Sequence, residues 1–201
     1  MSEDAGDGGE GDDAERGGTS TDDGATTGDE AADGPNGASE PGDATPEEPA
    51  AGTFLVTAVD DASAVLRDVE RGRVHTVTDP PADLAVGEGV VGRLEPVPPM
   101  GVRWRLADVE DRFAISVTES DEPPTAHERS LAPDAVGDLV RRERAGEGEL
   151  HVLRVPEDRT DAAVGDVLAD ETELRERAAR LGVARVEVRS EPGVVCVRYL
   201  P

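Results

Sequence analysis

The first 51 residues contain no Val, Leu, Ile, Phe, Tyr or Trp; beyond them, apolar positions recur at two different spacings. Over residues 52–118 the spacing is strand-like. Segments 53–59 and 63–68 flank Asp60-Asp61-Ala62, which reads as a short hairpin turn. Val69-Glu70-Arg71-Gly72 then turns the chain into 73–78, where Val74, Thr76 and Thr78 alternate with His75 and Val77. Pro80-Pro81 breaks the pattern, and a further strand is predicted through 90–95. Segments 102–109 and 113–117 close the series across a tight Glu110-Asp111-Arg112 turn. Five or six short strands at this rhythm predict a small β-barrel.

Residues 119–124 are polar and contain Pro123-Pro124, as in a linker. From 125 to 201 helical spacing enters. Pro133 suits a first helical turn, and Val136, Leu139 and Val140 fall on one face of the predicted helix. Gly146-Glu147-Gly148 stops it. A strand over 150–155 ends at Pro156. Thr160 or Asp161 is the expected cap of a long helix striped by Val164, Val167, Leu168, Leu174, Ala178 and Leu181 and ended by Gly182. Segments 184–189 and 194–199 form a hairpin in which Pro192-Gly193 suits a type II turn. The predicted fold class is α+β: an acidic tail over 1–51, a five- to six-stranded barrel over 52–118, a linker, and an α-β-α-β-β module over 125–201. Each half is small enough that the two are expected to pack together.

Charge changes the picture in the tail first. Residues 1–51 hold 16 acids and one cation, Arg16, and with nothing to bury they are expected to be disordered. The whole chain carries 46 Asp and Glu against 20 Lys and Arg, a net charge of −26, and all 20 cations are arginine. Self-repulsion of this size destabilises a compact state unless salt screens it; at molar salt the Debye length is only about 3 Å. The composition predicts adaptation to a salty, halophilic cytoplasm. One cysteine excludes a disulfide framework, and no apolar run approaches the roughly 18 residues that cross a bilayer, so no membrane association is expected. The N-terminus lacks the basic start and apolar core of a signal peptide, which also predicts a cytoplasmic protein.

The chemistry-bearing residues are sparse. His75, His127 and His151 lie on separate predicted elements without His or Cys neighbours at ligand spacing, so no metal is expected. Cys196 alternates with valines and reads as a small buried residue. The 146–148 glycines follow a predicted helix and precede a strand, the reverse of a phosphate-cradling loop. No serine sits in a nucleophile-elbow pattern, and acids are too abundant for any pair to stand out. No catalytic residue, no cofactor and no enzymatic activity are expected.

Arginines are the informative set. Arg67, Arg71 and Arg73 bracket one predicted hairpin with His75 beyond them, while Arg103 and Arg105 flank Trp104 and point opposite to it. Segments "LAVGEGVVGRL" and "WRLADVEDRFAISV", after three meandering strands, resemble an OB-type barrel of the S1-like kind, with an SH3-like barrel as the competing assignment. An OB-type barrel implies single-strand binding by cations and stacking aromatics, here Arg67, Arg71, Arg73, His75 and Trp104. Against this, arginines in so acidic a chain more often pair with neighbouring carboxylates on a solvated surface, and a lone tryptophan such as Trp104 is more often a barrel-core or interdomain residue than a base platform. RNA or a ribonucleoprotein is thus one expected partner, and another protein docked on the C-terminal module is the other. Salt opposes simple phosphate attraction: about six phosphate contacts would lose roughly eight decades of affinity between about 0.1 M and 3 M.

A second resemblance spans 52–201. The segments "GTFLVTAVDDASAVLRDV", "SDEPPT", "RRERAGEGELHVLRVP", "ARLGVARVEVR" and "VVCVRYLP" resemble an uncharacterised family of halophilic archaea, a domain of unknown function. That resemblance implies a salt-adapted protein and carries no functional residues to any position here.

Overall fold

The computed structural model describes residues 48–99 and 101–201. The tail expected over 1–51 lies outside the described residues apart from its last four, and a strand already begins at Ala50. The described chain is a mixed α+β structure of two sheets and few helices. Among the described residues, no helix is long and apolar enough to cross a membrane.

The first sheet is built from β1 (Ala50–Val59), β2 (Ser63–Asp68), β3 (Val74–Thr78), β4 (Glu88–Val97) and β5 (Arg103–Ala114). Strand order is β1-β2-β3-β5-β4, and β1 also pairs with β4, so the sheet curls back on itself. Its narrowest seam is a parallel bridge between β3 and β5, Val77 opposite Trp104. Alternation puts Phe54, Val56, Leu66, Val77, Val90, Leu94 and Trp104 inside as one cluster. The turn predicted at Glu110-Asp111-Arg112 does not occur; β5 runs straight through it. These charged residues lie along the sheet's outer surface, where polarity does not require a turn. Instead, the irregularity falls in the register, which shifts between Val91 and Gly92. Glycine is required there, since a Cβ at Gly92 would meet the Asp108 carbonyl oxygen at 2.2 Å.

Only Ile115 separates β5 from β6 (Ser116–Glu119), and β6 belongs to the second sheet. The expected barrel end at 118 and linker at 119–124 are therefore displaced: the chain changes sheets at 115, and 120–124 lead into a helix. That helix is α1 (Ala126–Leu131), launched by a capping box in which the Glu128 amide donates to the Thr125 hydroxyl and the Glu128 carboxylate accepts from the Thr125 amide. The helix expected around Val136, Leu139 and Val140 is instead a turn followed by β7 (Leu139–Glu143). Val136 is 61% exposed and Leu139 40%, so the apparent stripe has no surface to bury against. The 146–148 glycines form the hairpin into β8 (Glu149–Arg154) rather than a helix stop. At Gly148, with φ +97°, a Cβ would stand 2.1 Å from the Tyr199 carbonyl oxygen.

A 3-10 turn (Glu157–Arg159) precedes α2 (Thr160–Ala169) and α3 (Glu171–Leu181). The single long helix expected here is broken at Asp170, whose ψ of 38° leaves the helical region. Thr160 does not cap α2. Its hydroxyl donates to the Glu157 carbonyl and accepts from the Gly193 amide, both at 2.9 Å, tying the helix start to the last hairpin. Strands β9 (Arg185–Glu191) and β10 (Val194–Leu200) complete a sheet ordered β6-β9-β10-β8-β7, in which β6 runs parallel to β9. The module thus reads α-β-β-α-α-β-β after β6, not α-β-α-β-β.

Helices α2 and α3 cover one face of this sheet, and Leu131 and Ala132 cover part of the other, against Val152, Val194 and Cys196. Leu55 of β1 and Val69 of the β2–β3 turn are buried in the same cluster as Ile115, Leu174, Ala178, Val183 and Val195. Each such aliphatic side chain contributes about 1.5–3 kcal/mol on full burial. The two sheets therefore share a core.

Candidate functional site

The β2–β3 turn is organised by one carboxylate. Asp68 is 1% exposed and accepts the amides of Glu70 and Arg71, each at 2.9 Å, and Nη1 of Arg71 at 3.0 Å. An aspartate at a turn's first position bonds forward to its own backbone in this way. Burial pushes its carboxyl pKa up, but the donors from Arg71 and Glu70 outweigh it and hold it below the ordinary aspartate value. Arg71 is thereby fixed beside the turn. Arg73, at the foot of β3, is exposed and has no ion pair among the described residues.

Beyond Arg73 the strand turns His75 inward. His75 is 3% exposed and lies edge-on to Trp104, ring centroids 4.5 Å apart, with Phe54 on its other side at 5.9 Å. Between the His75 and Trp104 rings, Arg71, Arg73, Asp68 and residues 48–51 lies a cavity of about 300 Å³. Four of the five residues nominated from sequence thus line one space.

Two of those nominations change. His75 is not on an exposed surface beside the arginines, because the alternation of β3 faces it into the curled sheet. Trp104 is buried in the first core and offers no open platform for a stacked base. Arg67 does not line the cavity; its Nε pairs with Glu176 of α3 at 3.0 Å. Arg105 pairs with Glu95, whereas Arg103 is exposed without an ion pair among the described residues.

A second cavity, about 320 Å³, lies between α3 and the β10-β8-β7 part of the second sheet, and the sequence did not point to it. The sheet supplies Arg141, His151 and Tyr199; the helix supplies Glu173, Glu176, Arg177 and Arg180. Glu149 anchors one wall. Its Oε2 accepts from Nε and Nη2 of Arg177, at 2.9 and 2.6 Å, and stands 2.9 Å from His151 Nε2. Burial raises the Glu149 pKa, but His151 and Arg177 together hold it below the usual range. For His151, burial dominates and lowers its pKa despite Glu149, so it is neutral at pH 7. Arg180 Nε donates to the Val69 carbonyl at 2.8 Å, and Glu176 is shared by Arg67 and Arg180. These residues come from β7, β8, α3 and β10, with no local spacing to betray them.

Cys196 is fully buried, and burial pushes its thiol pKa to about 12. Among the described residues, no three His, Cys, Asp or Glu side chains come together as metal ligands.

No curated protein and no solved structure matches the chain. Residues 50–190, which take in the first sheet, all three helices and the second sheet up to β9 but not β10, match DUF5812, a family of unknown function. The match covers well over half of the sequence, so the chain belongs to this family of unknown function.

Proposed function

We propose that the chain is a non-enzymatic binding protein of a salt-adapted cytoplasm, and that its first sheet is an OB-type barrel taking single-stranded RNA at the cavity beside the β2–β3 turn. The observation that carries this reading is the convergence of Arg71, Arg73, His75 and Trp104 on one cavity. Strand order β1-β2-β3-β5-β4, with β1 returning to β4, supports the OB-type assignment over an SH3-like one. About 300 Å³ is at the small end of ligand sites, so the cavity fits one unstacked nucleotide, not a run of bases. Arg73 supplies the phosphate contact, and the ring edges of His75 and Trp104 meet the base.

Fluorescence anisotropy with a short labelled RNA, at 0.2 M and 2 M KCl, tests this. Arg73→Glu is the cleaner variant, because Arg71 also holds Asp68 and its reversal would disturb the turn. Binding by the unmodified chain that falls at least tenfold in Arg73→Glu, with an unchanged melting point, is the expected result. Absence of binding at both salts, or equal binding by the variant, would falsify the reading.

A second reading, an adaptor for another protein through the C-terminal module, is favoured by one observation. Strand β7 is an edge of the second sheet, with Leu139 40% exposed and Arg141 and Arg142 outside, so a partner strand could pair there.

A further inference from the structure

The second cavity gathers three of the chain's arginines in a protein of net charge −26, and their environments differ. Arg177 gives Nε and Nη2 to Glu149, and Arg180 gives the same two nitrogens chiefly to the Val69 carbonyl, leaving Nη1 of each without a partner among the described residues. Both guanidinium planes are thereby held before any ligand arrives, which lowers the entropy cost of using them. The Arg141 guanidinium, across the cavity on β7, has no hydrogen bond or ion pair to any described residue. Tyr199 forms part of the floor. The residue is 3% exposed, and its hydroxyl bonds to no described residue.

The acids of the cavity serve the fold. Glu176 is engaged by Arg67 and Arg180. Glu173 lies in the first turn of α3, where the helix dipole favours a negative side chain. The donors still open to a ligand are one guanidinium, two Nη1 groups and one phenol hydroxyl, and the one open carboxylate beside them is Glu173.

We propose that this cavity is an oxyanion site for a phosphate group, bound by Arg141 from the sheet, Nη1 of Arg177 and Arg180 from the helix, and the Tyr199 hydroxyl from below. The free Arg141 fork can match two phosphate oxygens, with Arg177 and Arg180 each adding a single Nη1 donor, and such contacts rely on geometry more than on long-range attraction. That matters for a chain whose net charge repels anions at a distance and whose proposed milieu screens it. Burial raises the Tyr199 pKa to about 12, so the phenol stays a donor across neutral pH. The site is separate from the cavity of the first sheet and does not depend on RNA binding there.

Isothermal titration with inorganic phosphate in 1 M KCl, on the full chain, tests the proposal. The unmodified protein should bind with one site. Arg141→Gln should weaken binding about tenfold, since a charge-assisted contact is lost at an exposed residue that does not hold the fold. Tyr199→Phe should weaken it several-fold, and Glu173→Gln should tighten it by removing a repelling carboxylate. Arg73→Glu should leave it unchanged, so failure of the RNA reading would not register here. Pentaadenylate lacking a terminal phosphate is then added as competitor. Displacement assigns the site to a nucleic-acid backbone, and no displacement assigns it to the phosphate group of a small molecule. No heat with phosphate up to 10 mM (about the weakest useful affinity) overturns the proposal, as does equal binding by a folded Arg141→Gln variant. Weaker binding by Glu173→Gln also overturns it, because the ligand would then need a cation.

Discussion

The two cavities are nearly equal in size and both carry arginines, but they are assembled in opposite ways. At the first, one buried carboxylate, Asp68, collects its donors within three residues, and the hairpin that holds it is contiguous in sequence. At the second, Glu149 collects a histidine two residues away and a guanidinium 28 residues away on a different element. Local construction gives the first corner its donors without the helices, although Arg180 of α3 also reaches the Val69 carbonyl of the same turn. The second exists only while α3 is docked on the sheet. Equal volumes and similar side chains therefore say little about how each site fails.

Removing the Trp104 ring from the first core is the harshest way to break the contrast. Trp104→Ala should cost about 3–5 kcal/mol in chemical denaturation, as large core truncations do. Because the sheets share the cluster around Leu55 and Val69, both cavities should be lost in a single transition. Two separated transitions would show that the sheets unfold independently. Next in size come the two carboxylates. Asp68→Ala and Glu149→Ala should each cost about 1–3 kcal/mol, because donors are left unmatched in a buried setting. Hydrogen exchange should separate them: the first should loosen the β2–β3 turn, the second α3 and β8. Loosening of β8 by Asp68→Ala would refute the claim of local construction.

Acid sharpens the comparison further. The folded-state pKa of His151 lies below its ordinary value of 6.5, so its contribution is present above that pH and is lost as pH falls toward the folded value. Asp68 is also depressed, but from an ordinary value of 3.8, so its contribution holds until pH drops below about 4. Melting points should begin to fall near pH 6.5, and His151→Gln should remove that early part of the slope only. A variant with the same slope between pH 6.5 and 5 would shift the cause elsewhere. The smallest expected effect is Arg73→Glu, within about 0.5 kcal/mol by denaturation, since it is exposed and holds nothing.

Much of the first sheet was legible because its signals are short-range. Alternation along β2 and β3, with Asp68 and Gly72 at the turn, needs only neighbouring residues to be read. Failures came where tertiary context decides. Val136, Leu139 and Val140 have helical spacing, but backbone pairing of Gly137 and Asp138 with Arg154 draws the segment onto a sheet edge. The acid-rich 110–112 segment resembles a turn, but it is the outer side of a long strand. At the site, Arg71 and Arg73 could be nominated from their hairpin, whereas the inward aim of His75 depended on which face of β3 the core would claim. Arg141, Arg177 and Tyr199 share no spacing, so no pattern along the chain could have joined them.

The passage from β5 to β6 through Ile115 alone has a consequence for the order in which the protein forms on the ribosome. Domains fold from the N-terminus as they emerge. All five strands of the first sheet are available once residue 114 is out, but β6 must wait for β9, which begins at Arg185. During that interval β6 has no partner strand, and Leu55 and Val69 lack the α3 surface that covers them. A nascent chain stalled before residue 171 should therefore present an apolar patch and a bare strand to its surroundings, and this window is when the protein most needs a chaperone.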